Sequence, residues 1–348
     1  MNTATITVLL AVALATPGAA RAFSIGTSVT QRCHERMTQK AVGRSNVDKP
    51  EGWVRDWPNQ DESWLEVAHW LESEGLIEDK ADDRWRLLQV SLFIGARYPD
   101  QRGFGITDLQ GMREIHLSGN AQQVHSLRAP EQDGEEGDAL ALASARKLLR
   151  DLVAQARSPV DPWSMSGHMK TVPAWIEFYG DVDIVVWEPA FLMARALHAL
   201  QDSFSHTYRS ADLARVYAVC NYIDAITGNH DERRDGPRHS VLTDRCDDPE
   251  VEPLKDTAVL ASTELFDAGL EYLNTGDMTA VDRVLDQWLT LEPGCGFDAG
   301  YCGTPWAALA KREETQSFGC SFAPIGPPRF PALTGVLGLL LVLRLRRR

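Results

Sequence analysis

Seven stretches of the chain carry apolar residues at three- and four-residue spacing and stop near glycine or proline: "SWLEVAHWLESEG", "DDRWRLLQVSLFIGAR", "GDALALASARKLLRDLVAQAR", "EPAFLMARALHALQDSFSH", "ADLARVYAVCNYIDAIT", "PLKDTAVLASTELFDAGLEYLNTG" and "AVDRVLDQWLTL". This period is that of amphipathic helices, and no alternating strand series or repeat accompanies it. The pattern predicts an all-α fold, a single multi-helix domain over residues 23–310 with long loops. With 44% hydrophobic and 24% charged residues, the chain has the composition of an ordinary globular protein. The loops "RYPDQRGFGITD", "RAPEQDGEEGD" and "TGNHDERRDGPRHSVLTDRCDDPE" gather its other polar clusters, and long loops in a compact domain are usually functional. The acidic run from Glu131 to Asp138 reads as a solvated loop.

Residues 1–22 hold an apolar run, Val8 to Ala15, and end in Ala20-Arg21-Ala22, the pattern of a signal peptide cleaved before Phe23. Residues 311–331 form a Gly/Pro-rich linker with Cys320. Residues 332–348 are an apolar segment with an arginine tail. The stretch "GCSFAPIGPPRFPALTGVLGLLLVLRLRRR" resembles the myxobacterial C-terminal sorting signal, which implies recognition by sorting machinery; a plain transmembrane helix with cytoplasmic arginines is the alternative. Either reading exports the body to the cell envelope or outer surface.

Six cysteines fit an oxidising compartment. Cys295 and Cys302 flank a tight loop, "CGFDAGYC", and form the first expected disulfide bond. With Cys320 belonging to the C-terminal signal, five remain, and Cys220 with Cys246, or either with Cys33, comes next, with one thiol left over. No C-x-x-C spacing occurs, which argues against a cysteine zinc site. The net charge of −14 argues against sequence-independent binding of duplex nucleic acid.

In "ARALHALQDSFSHTYRS", His198, Asp202 and His206 recur at intervals of four. On a helix these positions fall within about an 80° arc, so the three side chains share one face that can bind a metal. A hydrogen-bonded core histidine and a local ion pair are the plainer account of the triplet alone. His69, His168 and His230 lack a partner at ligand spacing and read as bystanders.

Four motifs in order, "HERMTQKA", "GARYPD", "HSLRAP" and "HALQDSFSHT", resemble the zinc-dependent phospholipase C and single-strand nuclease superfamily, particularly its secreted branch related to the heterokaryon-incompatibility C proteins. The likeness covers residues 23–250 and implies up to three Zn²⁺ ions. Carried over by position, the first zinc takes Asp100, His125, His198 and Asp202. The second takes His206, His239 and Asp244. The third takes the amine and carbonyl of Phe23, with His34 and the bridging Asp202. At His239 the family's fourth-residue carboxylate is replaced by Thr243, and both Asp244 and Asp247 follow. His116 stands nearer Asp100 in sequence than His125, which is preferred for its "HSLRAP" context.

Imidazole and carboxylate donors suit Zn²⁺, whose bound water is acidified towards neutral pH, and Asp100 can accept a proton from attacking water as the catalytic residue. The resemblance thus implies a secreted or envelope-attached phospholipase C-like phosphoesterase acting on a phospholipid or other phosphate ester. The alternatives are a single-strand nuclease on the same scaffold and a non-catalytic metal-binding surface protein. No G-x-S-x-G and no phosphate loop points to another hydrolase.

Overall fold

The structure is a computed structural model and describes residues 32–45, 63–77, 83–105, 108–157, 168–177, 179–240 and 242–317. Its order begins α1 (Cys33–Arg44), α2 (Ser63–Ser73), α3 (Asp83–Gln101), α4 (Leu109–Leu117), a 3₁₀ turn (Gly119–His125) and α5 (Gly134–Ala156). A hairpin of β1 (Met169–Ile176) and β2 (Gly180–Trp187) leads into α6 (Glu188–Ser205). Then come β3 (Thr207–Arg209), β4 (Val216–Val219), the short helices α7 (Ile223–Thr227) and α8 (Glu232–Asp235), and a 3₁₀ turn at Leu242–Asp244. The chain closes on α9 (Glu252–Thr275), α10 (Thr279–Trp288), a turn at Phe297–Gly303 and α11 (Pro305–Ser317). The all-α expectation holds, with two small two-stranded sheets as the β content.

Helix α6 is the axis of the fold. Every residue from Pro189 to Ser205 is buried except Arg195, and α1, α3, α5 and α9 all pack against it. Pro189 sits in the first turn, where no intrahelical N–H is lost. Ala190, Ala194, Ala196 and Ala199 keep the helix thin on its contact faces. Gly95 on α3 meets this thin surface: a β-carbon there would lie 2.4 Å from the Phe191 carbonyl and 2.8 Å from the Ala194 β-carbon. The two backbones therefore touch at Gly95, one residue before Ala96.

Two expectations about elements are corrected. The segment 211–227, expected as one helix, is a turn, strand β4 and the single-turn helix α7. Its backbone is claimed by distant partners: Val216 N donates to Thr290 O, Cys220 N to His206 O, and Arg128 N to the Cys220 carbonyl. Such non-local bonds override a helical period that included the β-branched Val216 and Val219. The hairpin β1–β2 was not expected, because Pro173 interrupts its alternation of buried Val172, Ala174 and Ile176. In a two-stranded sheet each strand is an edge and tolerates the missing donor. The acidic run is a loop only in part: α5 starts inside it and Asp138 is buried 3.5 Å from Arg128, while Glu131, Asp133, Glu135 and Glu136 are exposed.

A transmembrane helix is not borne out among the described residues, where no helix is long and apolar enough to cross a membrane. The two longest, α5 and α9, are amphipathic and interrupted by charges such as Glu135, Arg146, Lys255 and Glu264. The signal peptide, Cys320 and the apolar tail lie outside the described residues, and α11 runs into the expected linker as far as Ser317. Two disulfides join Cys295 to Cys302 and Cys33 to Cys246, leaving Cys220 as the buried free thiol. This pairing is compatible with an extracellular protein.

Gly95→Ala should force α3 away from α6. Overpacking of this kind costs about 1–3 kcal/mol, and thermal unfolding should show a midpoint several degrees lower. An unchanged midpoint would mean that the two backbones do not meet there.

Candidate metal centre

The buried face of α6 carries His198 and Asp202 one turn apart, with His206 just past the helix end, where its N–H still donates to Asp202 O. The Asp202 carboxylate is wholly buried and has imidazoles on two sides. Oδ2 lies 3.1 Å from His198 Nε2 and 3.0 Å from His125 Nδ1. Oδ1 lies 3.1 Å from His34 Nε2 on α1. Asp100, in the last turn of α3, brings Oδ1 to 3.5 Å from His125 Nδ1 and 3.6 Å from His198 Nε2.

Asp100, His125, His198 and Asp202 thus form one buried group whose potential ligand atoms lie within 4.8 Å of one another. A second group, His206, His239 and Asp244, meets the same condition. There His206 Nε2 is 3.7 Å from Asp244 Oδ1 and His239 Nε2 is 3.1 Å from Asp244 Oδ2.

The imidazoles are aimed by bonds at their other nitrogens. His198 Nδ1 donates to the Ala96 carbonyl at 2.6 Å, the carbonyl that the close approach at Gly95 brings to α6. His206 Nδ1 donates to the His125 carbonyl, which joins the two groups directly. His34 Nδ1 donates to Gln201 Oε1 at 2.9 Å, and the Gln201 amide nitrogen donates to Thr38 Oγ1 at 3.1 Å and Ser262 Oγ at 3.2 Å. In this tautomer each of the three rings turns an Nε2 lone pair toward a carboxylate. A metal ion held between ring and carboxylate would use these lone pairs, and without one a ring can instead carry a proton on Nε2 and donate it to the carboxylate, as the raised His34 does.

Charge follows the same logic. Burial works against a charged ring at His34, but the Asp202 carboxylate outweighs it and lifts the imidazole to about 9. Burial, partly offset by Asp202, pushes His206 down to about 3. Asp202 resists its own burial and stays well below the usual carboxylate range because His198, His206 and His34 surround it. Both Asp100 carboxylate oxygens, His125 Nε2, His198 Nε2 and His206 Nε2 are buried without a hydrogen bond. Nitrogen and carboxylate donors in sets of three and four are what a divalent transition metal takes. The two groups can hold metal ions.

No family model, no curated protein and no solved structure matches the chain. Its functional reading therefore rests on the motifs and on this geometry.

The alternatives left open by the sequence stand at different positions in the fold. Asp244 faces His206 and His239 because the 3₁₀ turn at Leu242–Asp244 folds the chain back, whereas Asp247 is exposed. His125 lies in the first group. His116 stacks on the outer side of His125, with centroids 5.0 Å apart, and places Nε2 3.1 Å from the Asp100 carbonyl. His69 is exposed, and His230 Nε2 donates to Gly236 O at 2.8 Å. His168 is buried outside both groups. Phe23 lies outside the described residues.

Gln201 was not among the residues singled out by sequence, although a buried-face amide directly before Asp202 was a usable signal. The Cys33–Cys246 bond spans 213 residues and ties the neighbour of His34 to a residue two places beyond Asp244.

Metal content should separate the two carboxylates. Asp244→Asn should lower it by about one ion, because an amide oxygen is a poorer ligand and brings no charge, while Asp247→Asn leaves it unchanged. The reverse pattern in elemental analysis would reassign the second group.

Protein stripped with chelator should also show a distinctive pH profile. His34 is raised in the fold, so its stabilisation is complete below about pH 6.5 and is lost as pH rises towards 9. His206 is lowered, so stability falls as pH drops from 6.5 towards 3, where the unfolded chain takes up the proton first. Melting curves of the stripped protein should peak near pH 6.5, and a flat profile would contradict this charge distribution.

Proposed function

We propose that the chain is an exported zinc-dependent phosphoesterase of phospholipase C type, acting on a phospholipid or another phosphate ester. The observation that carries this reading is the Asp202 carboxylate. One oxygen is turned to His34 and the other to His125 and His198, as a carboxylate bridging two cations requires. Zinc bound at these groups would supply an acidified water and offset the charge gathered on the phosphoryl oxygens.

The protein's own contribution is positional. His198, His125 and Asp100 surround one side of Asp202, and His34, held by Gln201, stands on the other. Asp100 has two buried oxygens without a hydrogen bond, so one is available to take the proton of the attacking water. The carbonyls of Ala96 and His125 keep His198 and His206 in the tautomer that leaves Nε2 as the donor to metal.

One observation favours a second reading, a metal centre without turnover. No side chain in either group is more than 3% exposed. Structural metal sites are closed in this way, whereas catalytic ones keep an open position.

Elemental analysis of the purified protein, with hydrolysis assays on phosphatidylcholine vesicles and single-stranded DNA, distinguishes these. Asp202→Ala should lose more than one metal ion and all hydrolysis, with His69→Ala as the unaffected control. Stoichiometric zinc without turnover of either substrate would favour the structural centre. Turnover of DNA alone would make the enzyme a nuclease.

A further inference from the structure

We propose that the cavity bounded by the start of α5, strand β4, helix α8 and the Cys295–Cys302 loop is a binding site for a small organic ammonium compound, with the Asp138 carboxylate as its anchor. The inference does not depend on the proposed function, since no residue of either metal-binding group lines this cavity. Its volume of about 420 Å³ is that of a small-ligand pocket. Asp138 lines it from the second turn of α5, with 3% of its surface exposed. Oδ1 accepts the Val219 N–H at 2.7 Å and stands 3.5 Å from Arg128 Nη1, while Oδ2 accepts no hydrogen bond among the described residues.

The other buried carboxylates among the described residues are engaged. Asp100, Asp202 and Asp244 face imidazoles, Glu35 and Glu177 hold Arg97, and Asp235 holds Arg234. Arg128 does less for Asp138, because its Nε and Nη2 donate to the carbonyls of Gln132 and Gly134. Burial accordingly lifts the Asp138 carboxyl to about 6, with Arg128 and the Val219 N–H offsetting only part of it. A bound ammonium would supply the missing donor and charge.

The carboxylates of Glu135, Asp138, Glu232 and Asp298 line the cavity against the guanidinium groups of Arg128 and Arg233. Asp298 pairs with Arg233 at 2.8 Å and Glu232 with Lys311 at 3.8 Å, so Glu135 and Asp138 face Arg128 alone. The positive start of α5 is met by Glu136, in its first turn and outside the cavity. A bare metal ion does not suit the set, because among the described residues only the Asp100 and His206 groups gather three or more ligand atoms within 4.8 Å. An organic cation has a body as well as a charge, and the cavity offers it aromatic faces. The Phe297 ring, 38% exposed, lies 5.3 Å from the Arg233 guanidinium, and the Tyr301 ring lies 5.5 Å from Lys311 Nζ, so both rings already hold cations.

Gly296 gives the test its handle. It lines the cavity at φ −77°, and a β-carbon there would meet no atom within 4 Å, so a larger side chain fills the cavity without straining the loop. Calorimetric titration at neutral pH compares phenethylamine with its neutral counterpart 2-phenylethanol and its anionic counterpart phenylacetate. The amine should bind tighter than the alcohol by about tenfold or more, the effect of a hydrogen bond to a charged group, and phenylacetate should not bind. Gly296→Leu should abolish amine binding with an unchanged melting midpoint. Asp138→Asn, whose amide oxygen still accepts the Val219 N–H, should remove the preference for the amine over the alcohol. Asp183→Asn, exposed on β2, should bind as the unaltered protein does. Gly296→Leu keeps the test decisive if the Asp138 variant fails to fold. Amine binding retained in Gly296→Leu overturns the proposal, as does a protein that binds the amine no better than the alcohol or the acid.

Discussion

A carboxylate at zero exposure in the middle of a protein has to be surrounded by cations, and Asp202 sets that condition for this fold. Isolated in low dielectric it would cost several kcal/mol or take up a proton. Here it is ringed by His34, His125 and His198, with His206 one turn on. Each imidazole comes from a different part of the chain or a different turn of α6. The folding of α1, the 3₁₀ turn at Gly119–His125 and α6 into one centre is therefore also the neutralisation of Asp202.

Around this centre the backbone acts as the second layer. Carbonyls of Ala96 and His125 accept the Nδ1 protons of His198 and His206, and the Gln201 amide, locked between Thr38 and Ser262, accepts that of His34. Packing and chemistry meet at Gly95, because only a residue without a β-carbon lets α3 bring Ala96 close enough to α6. The disulfide between Cys33 and Cys246 pins the histidine-bearing start of α1 to the segment that supplies Asp244. A metal centre built this way is preorganised, since its donors are oriented by bonds that do not involve the metal.

Charge is distributed unevenly. The buried arginines Arg97 and Arg128 each have carboxylate partners and tie distant segments together. Arg209, equally buried, is satisfied instead by the carbonyls of Ser203, Leu213 and Trp288 and lies over the Phe204 ring. Its bonds to the Ser203 carbonyl lie in the last turn of α6, where a helix terminus favours a cation. Arg195 has neither kind of partner, and it stands one turn before His198 on the same helix.

Local order decided what the sequence alone could determine. Apolar spacing marked the long helices, because a 3.6-residue period is a property of neighbouring residues. The interval of four in His198 and Asp202 placed an imidazole and a carboxylate on a common face for the same reason, whereas His206, just past the helix end, joins the second group. Cys295 and Cys302 were legible because a sequence separation of seven leaves them little choice. Everything that required distant segments to meet was decided by tertiary structure. Residues 211–227 hold a strand because Thr290, His206 and Arg128 capture their backbone, and no local propensity records those partners. The sequence favoured His125 over His116 and Asp244 over Asp247 by the motifs around them, and left Cys33, Cys220 and Cys246 with more than one pairing. The path of the chain brings His125 and Asp244 into the two groups, leaves Asp247 exposed, and joins Cys33 to Cys246 while Cys220 stays buried as a free thiol.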